Sequence, residues 1–137
     1  MTEQPAPLVL VVDDYQDARE MYAEYLSVSG FRVAEARTGL EAVEQAFALL
    51  PDLILMDLSL PEVDGWEATR RLKADERTAR IPIVVLTGHT LAGAADDARR
   101  AGCDAFVTKP CLPDEIIVEV RRMIDAARRQ PGRRSDR

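Results

Sequence analysis

Five polar side chains stand where apolar runs end. Asp13 and Asp14 follow "LVLVV" (8–12), Asp57 follows "LILM" (53–56), Thr87 closes "IPIVVLT" (81–87) and Lys109 closes "DAFVTK" (104–109). A carboxylate at the end of an apolar strand is expensive to desolvate unless something nearby compensates it. Three carboxylates close together repel, at about 4 kcal/mol for a pair ~4 Å apart in a medium of effective dielectric ~20. A hard dication relieves that repulsion, and an all-oxygen ligand set suits Mg2+, which usually keeps several waters. A metal held by acids beside a further carboxylate is equipment for phosphoryl transfer. The metal neutralises developing charge, Lys109 offers a compact cation, and Thr87 offers a hydroxyl to a phosphoryl oxygen. Asp57 is left as the nucleophile, forming an aspartyl phosphate.

The elements that must position these groups are legible in the hydrophobic pattern. The run 8–12 is apolar throughout, as in a strand covered on both faces. From Asp17 the period changes, and Ala18, Met21, Tyr22, Tyr25 and Leu26 fall on one face of a helix that Gly30 is placed to end. "FRVAEA" (31–36) alternates loosely and reads as a second, edge strand. "TGLEAVEQAFALL" (38–50) is helical, with Leu40, Val43, Phe47 and Leu50 on one face and Pro51 closing it. "LILM" (53–56) is a third strand, and 58–64, with Pro61 and "DG", reads as a loop. A third helix spans 66–75 and a fourth strand 81–87, with Pro82 tolerable near its start. An alanine-rich helix spans 91–101, with little to pack and so the least firmly held. The fifth strand (104–109) and a last helix (112–129) follow, with Ile116, Ile117, Val120, Met123 and Ile124 inward. Five βα units predict a doubly wound, parallel five-stranded α/β sheet in the order 2-1-3-4-5. Ligands of such a sheet bind beyond the carboxyl ends of the strands, where the winding reverses between strands one and three. The five polar residues lie on that rim.

Composition sets further bounds. The length of 137 residues fits one domain with a real core. Net charge is −6, yet residues 121–137 hold seven arginines against two aspartates. The acidic body excludes a nucleic-acid binder by charge, so no direct DNA binding is expected. The Arg-rich end is expected to be a solvated tail, with contact to nucleic acid or an acidic partner as its other reading. No apolar run approaches the ~20 residues of a membrane span, and the first residues lack the pattern of a secretory signal; a cytoplasmic location and no membrane partner are expected. Cys103 and Cys111 form no metal motif and read as idle thiols. The expected organisation is a flexible leader (1–7), one domain (8–127) and an Arg-rich, disordered tail (128–137).

The motifs "VVDD" (11–14), "LILMDLSLPEVDGWE" (53–67), "VVLTG" (84–88) and "FVTKP" (106–110) together resemble the receiver domain of response regulators, the phosphoacceptor half of two-component signalling. The resemblance covers residues 8 to about 125, implies a flavodoxin-like fold, and is to the single-domain, chemotaxis-regulator-like members. It implies that Asp14 and Asp57 ligate Mg2+ directly, with the backbone carbonyl of Ser59, while Asp13 acts mostly through water. Asp57 would take a phosphoryl group from a histidine kinase or a histidine phosphotransfer protein. Thr87 and Lys109 would hold it, and Phe106 would be the switch aromatic that turns inward as Thr87 moves. A cis Lys109–Pro110 bond is implied as well. Ser59 and His89 occupy positions where family members vary and the side chain tunes phosphoryl lifetime; a solvated loop histidine is the other reading of His89. Phosphorylation would bias a two-state face made of the helix 91–101, the strand 104–109 and the last helix, which controls an unidentified output protein. The chain would be a monomer or a phosphorylation-dependent dimer.

Three functions compete. The first is a stand-alone receiver, since the residues after 125 are too few to make another core; it would be a single-domain regulator, a phosphate relay or sink, or a piece of a longer protein. It would be no enzyme beyond Mg2+-dependent self-phosphorylation and autodephosphorylation. The second is a phosphatase of the haloacid-dehalogenase type, which wants a second Asp two residues after the nucleophile; Ser59 stands there. The third is a pseudo-receiver acting as an adaptor, against which the intact Asp13, Asp14, Asp57, Thr87 and Lys109 argue. Asp14 as a helix cap, Phe106 as plain core and Trp66 as packing for the third helix are the roles these residues take if they carry no chemistry.

Overall fold

The computed structural model describes residues 6–57, 62–87, 102–108 and 112–129; the side chains of 62–64, 87 and 108 lie outside that description. Its elements are β1 (Leu8–Val12), α1 (Gln16–Val28), β2 (Arg32–Ala36), α2 (Gly39–Leu49), β3 (Leu53–Asp57), α3 (Glu62–Ala74), β4 (Ile83–Thr87), β5 (Ala105–Thr108) and α4 (Pro113–Arg128). The five strands form one parallel sheet in the order β2-β1-β3-β4-β5, as the sequence predicts. The helix expected at 91–101 lies outside the described residues, as do the leader to residue 5, the loop 58–61 and residues 130–137.

The period-2 alternation of the strands divides the core into two layers. Leu10, Val12, Ile54, Met56, Ile83 and Val85 face one side, against Ala42, Val43 and Ala46 of α2 and Ala68 and Leu72 of α3. Val9, Val11, Leu53, Leu55, Val84 and Leu86 face the other, against Tyr22 and Leu26 of α1 and Ile116, Val120 and Ile124 of α4. The central strands are therefore apolar at every position because both of their faces are covered. β2, partly exposed along its length, is an edge.

Helix ends explain most boundary shifts. In α1, Gly30 (φ +100°) donates to the Ser27 carbonyl and Phe31 to the Leu26 carbonyl, the paired bonds of a Schellman motif. Phe31 is thereby committed to the helix end, and β2 starts at Arg32 rather than at 31. Pro82 has no N–H to give the ladder, so β4 starts at Ile83, although the Pro82 carbonyl still accepts from Ile54. Asp104, read as strand, instead precedes β5 and takes the Ile83 N–H on its carboxylate.

Three expectations need correction. Residues 62–64, read as the end of a loop, belong with Gly65 to the first turn of α3. A buried Gly65 tolerates the helical conformation because Thr69 Oγ1 donates to its carbonyl and the helix continues into the buried Ala68 and Leu72. The inner face of α2 is Gly39, Ala42, Val43 and Ala46. Leu40 is 61% exposed and Leu50 is also exposed. Small residues let α2 lie close on the sheet, which turns the larger leucines outward. Phe47 is half-buried, with the Arg77 guanidinium 4.3 Å from its ring centre. On α1, likewise, Met21 and Tyr25 are exposed, and the inner positions are Arg19, Tyr22 and Leu26. α4 buries Ile116, Val120 and Ile124 as expected, with Ile117 and Met123 at the margin.

Candidate functional site

Register places the acids. Val12 of β1 pairs with Met56 of β3, so Asp13 lies one step beyond that rung, level with Asp57. Asp57 is the last residue of β3 and pairs with Leu86; Thr87 pairs with Thr108 at the ends of β4 and β5. Parallel strands bring all of these ends to one rim. Asp13 is 2% exposed and Asp57 6%, whereas Asp14, next in the chain after Asp13, is exposed. Two buried carboxylates on neighbouring strands at the winding reversal are the core of the site.

The Asp13 backbone is fixed on both sides. Its N–H donates to the Ala36 carbonyl at 3.1 Å, and its own carbonyl accepts from Arg19 Nη1 at 3.0 Å. Its Oδ1 accepts the Tyr15 N–H at 2.9 Å, which folds the chain from β1 into α1. Tyr15, and not Asp14, occupies the cap position of α1, so the capping role open to Asp14 is not the one it takes. Arg19 Nε also donates to Glu35 Oε1 at 2.9 Å. Sequence reasoning missed Arg19 and Glu35. The signal was present, for 19, 22 and 26 share one helical face, and an arginine on a core-facing stripe needs an acid.

The donor chemistry fits a hard, oxygen-liganded cation: two buried carboxylates on adjacent strands and a third, exposed, next in the chain to Asp13. Among the described residues no three acid, histidine or cysteine side chains, Asp13, Asp14 and Asp57 included, come together as a group that could hold a metal ion by themselves. Mg2+ accepts such a partial set, because it uses one or two carboxylates and keeps waters. Ser59, His89, Lys109 and the Lys109–Pro110 bond lie outside the described residues, as does the Thr87 side chain. Phe106 sits on the edge strand β5, 39% exposed. Cys103 is half-buried against the α2–α3 layer, consistent with packing; Cys111 lies outside the described residues. Trp66 packs partly buried in the same layer. No described helix is long and apolar enough to cross a membrane.

Comparison with known proteins bears on this geometry. The family model "Response regulator receiver domain" matches residues 9–121. The polar-differentiation response regulator DivK of Brucella ovis is 35% identical over 113 residues, covering 82% of this chain and 92% of that protein. Among solved structures, the receiver domain of a signal transduction histidine kinase from Syntrophus aciditrophicus is similar with a TM-score of 0.83 and 30% identity, covering 91% of this chain and 95% of that one. The receiver domain of the sensor histidine kinase PA1611 from Pseudomonas aeruginosa, solved with a magnesium ion coordinated in its active-site cleft, is similar with a TM-score of 0.80 and 32% identity, covering 88% and 98%. Vibrio cholerae CheY4 has a TM-score of 0.80 and 26% identity, covering 86% and 98%. With its sheet order, its buried acid pair and a family match over most of its length, the chain belongs to the response regulator receiver-domain family of two-component signalling.

Proposed function

We propose that the chain is a single-domain phosphoacceptor of a two-component phosphorelay, phosphorylated on Asp57 in a Mg2+-dependent reaction. The observation that carries this reading is the pair of buried carboxylates, Asp57 at the end of β3 and Asp13 level with it after β1. The match over 92% of the length of the DivK response regulator supports a receiver-domain role for the chain.

In this reading an Asp57 carboxylate oxygen attacks the phosphorus of a phosphohistidine on a histidine kinase or phosphotransfer protein. The P–O bond forms as the P–N bond breaks, and the electron pair returns to the imidazole. Bound Mg2+ would neutralise charge on the transferring group, held by Asp14, Asp57 and the Ser59 carbonyl, with Asp13 acting through water. β3 holds Asp57 rigidly, because the four residues before it are fully buried. Thr87 and Lys109 bind the phosphoryl oxygens, and Ser59 and His89 set how long the group stays. Phe106, outward on β5, is the aromatic that turns inward and shifts the face of the segment 91–101, β5 and α4 toward an output protein. The protein works in the cytoplasm, without DNA or membrane contact, as a monomer or a phosphorylation-dependent dimer. The leader is residues 1–7; because α4 continues through Arg128 and is capped at Arg129, the domain is 8–129, not 8–127, and the tail 130–137.

The test is incubation with acetyl phosphate and Mg2+, followed by intact mass. A gain of one phosphoryl group, lost in EDTA and in Asp57→Asn, is expected. No gain in the unaltered protein contradicts the reading, and repeated turnover of a phosphate ester would favour a phosphatase.

A further inference from the structure

Arg19 is a charged side chain only 9% exposed, set among Tyr22 and Leu26 on the inner face of α1. A buried guanidinium needs partners. Its two described partners lie in different elements: Glu35 on the edge strand β2 and the backbone carbonyl of Asp13 after β1. The arm therefore ties α1, β2 and the acidic turn together at one point. Its described bond to Asp13 is to the backbone carbonyl.

We infer that Arg19 is a positioning residue for the cation site, holding the Asp13 backbone so that its carboxylate stays level with Asp57, and that Glu35 holds Arg19 in turn. The inference rests on the Mg2+ reading of the site given above. Charge and geometry make opposite predictions here. As a charge, the guanidinium repels a dication, and its removal tightens Mg2+ binding. As a positioner, its removal frees Asp13 and weakens binding. Groups that orient a metal's ligands without touching the metal commonly set 10–100-fold of affinity, so the geometric effect is the larger.

The experiment titrates the full chain with MgCl2 by calorimetry and records Tm in EDTA for each variant. Arg19→Met is expected to weaken Mg2+ binding about tenfold. Glu35→Ala, at the partly exposed edge strand, leaves Arg19 one of its two described anchors and is expected to weaken binding by about threefold, with the double variant no weaker than Arg19→Met. Unchanged or tighter Mg2+ binding in Arg19→Met overturns the inference, even where its Tm in EDTA falls, since a purely structural role lowers Tm alone. If Arg19→Met does not fold, Glu35→Ala decides: unchanged affinity overturns the inference. An unaltered protein that binds no Mg2+ sinks the cation reading and this inference with it. An unaltered protein that binds, beside an Arg19→Met that binds equally well, sinks the inference alone.

Discussion

Replacing Asp57 by asparagine is expected to make the metal-free protein more stable, although it removes the proposed phosphoacceptor. Asp13 and Asp57 are both buried and lie level at the ends of adjacent strands. Neighbouring strands are ~4.8 Å apart. Two carboxylates about 5 Å apart, at an effective dielectric of ~20, repel by about 3 kcal/mol. Solvent at the rim, the Arg19 guanidinium bonded to the Asp13 backbone and the further polar partners of both acids absorb about half of this, leaving roughly 1–2 kcal/mol. Asparagine keeps the shape and removes the charge. For a domain of this size about 4 °C accompanies each kcal/mol, so Tm in EDTA is expected to rise by roughly 4–8 °C. The assay is thermal unfolding by circular dichroism, in EDTA and then in excess Mg2+. Saturating metal stabilises the unaltered protein by about 2.7 kcal/mol at a hundredfold excess over Kd. The variant, lacking one charged ligand, gains less, so the gap closes or reverses. An Asp57→Asn protein no more stable than the parent in EDTA refutes the argument that the two acids repel across the β1–β3 boundary.

Other consequences follow from the packing and the charges. Leu72→Ala, at a fully buried position between α3 and the sheet, is expected to cost about 2–5 kcal/mol in urea unfolding, whereas the exposed Leu40→Ala stays within about 0.5 kcal/mol; equal costs would show that α2 packs through its leucines after all. Lys73 Nζ donates to the carbonyls of Ala79 and Ile81 and pairs with Asp104 Oδ2 at 2.7 Å, joining the end of α3 to the start of β5. Lys73→Met leaves these acceptors without their donor and is expected to destabilise by about 2–3 kcal/mol; a loss no larger than that of Arg71→Met would remove Lys73 from this role. The Arg37 N–H, donated to Glu41 Oε1, is the largest cause holding the Glu41 carboxyl below its ordinary 4.5. A depressed acid contributes stability above its unfolded value that disappears as pH falls through the folded one. Amides at the start of α2 are therefore expected to lose exchange protection below pH 4.5 in the parent but not in Glu41→Gln; identical profiles would contradict this.

The sheet was legible because its strands carry their burial in their composition. "LVLVV", "LILM" and "IVVL" admit little but interior strands, and the polar "RVAEA" had to be an edge. Asp13 and Asp57 were legible for the same reason, being acids attached to runs that had to be buried. The α2 face was misread because periodicity ranks large apolar residues first, while helix–sheet distance is set by alanines such as Ala42 and Ala46. The start of α3 was misread because "DG" is turn chemistry in isolation, and only the tertiary contacts of Ala68 and Leu72 carry the helix back to Glu62. Arg19 was overlooked because its partner Glu35 is sixteen residues away, and only the fold brings the two together.

The central claim is that Asp57 itself carries the phosphoryl group. Its most direct test is borohydride reduction of the protein after incubation with acetyl phosphate and Mg2+, followed by peptide mass mapping. An acyl phosphate on an aspartate is reduced to homoserine, which marks its position in the chain. Homoserine at position 57 alone, absent when acetyl phosphate or Mg2+ is omitted, is the predicted result. Homoserine at position 13 or 14, or none in a protein that has gained the mass of a phosphoryl group, would contradict it.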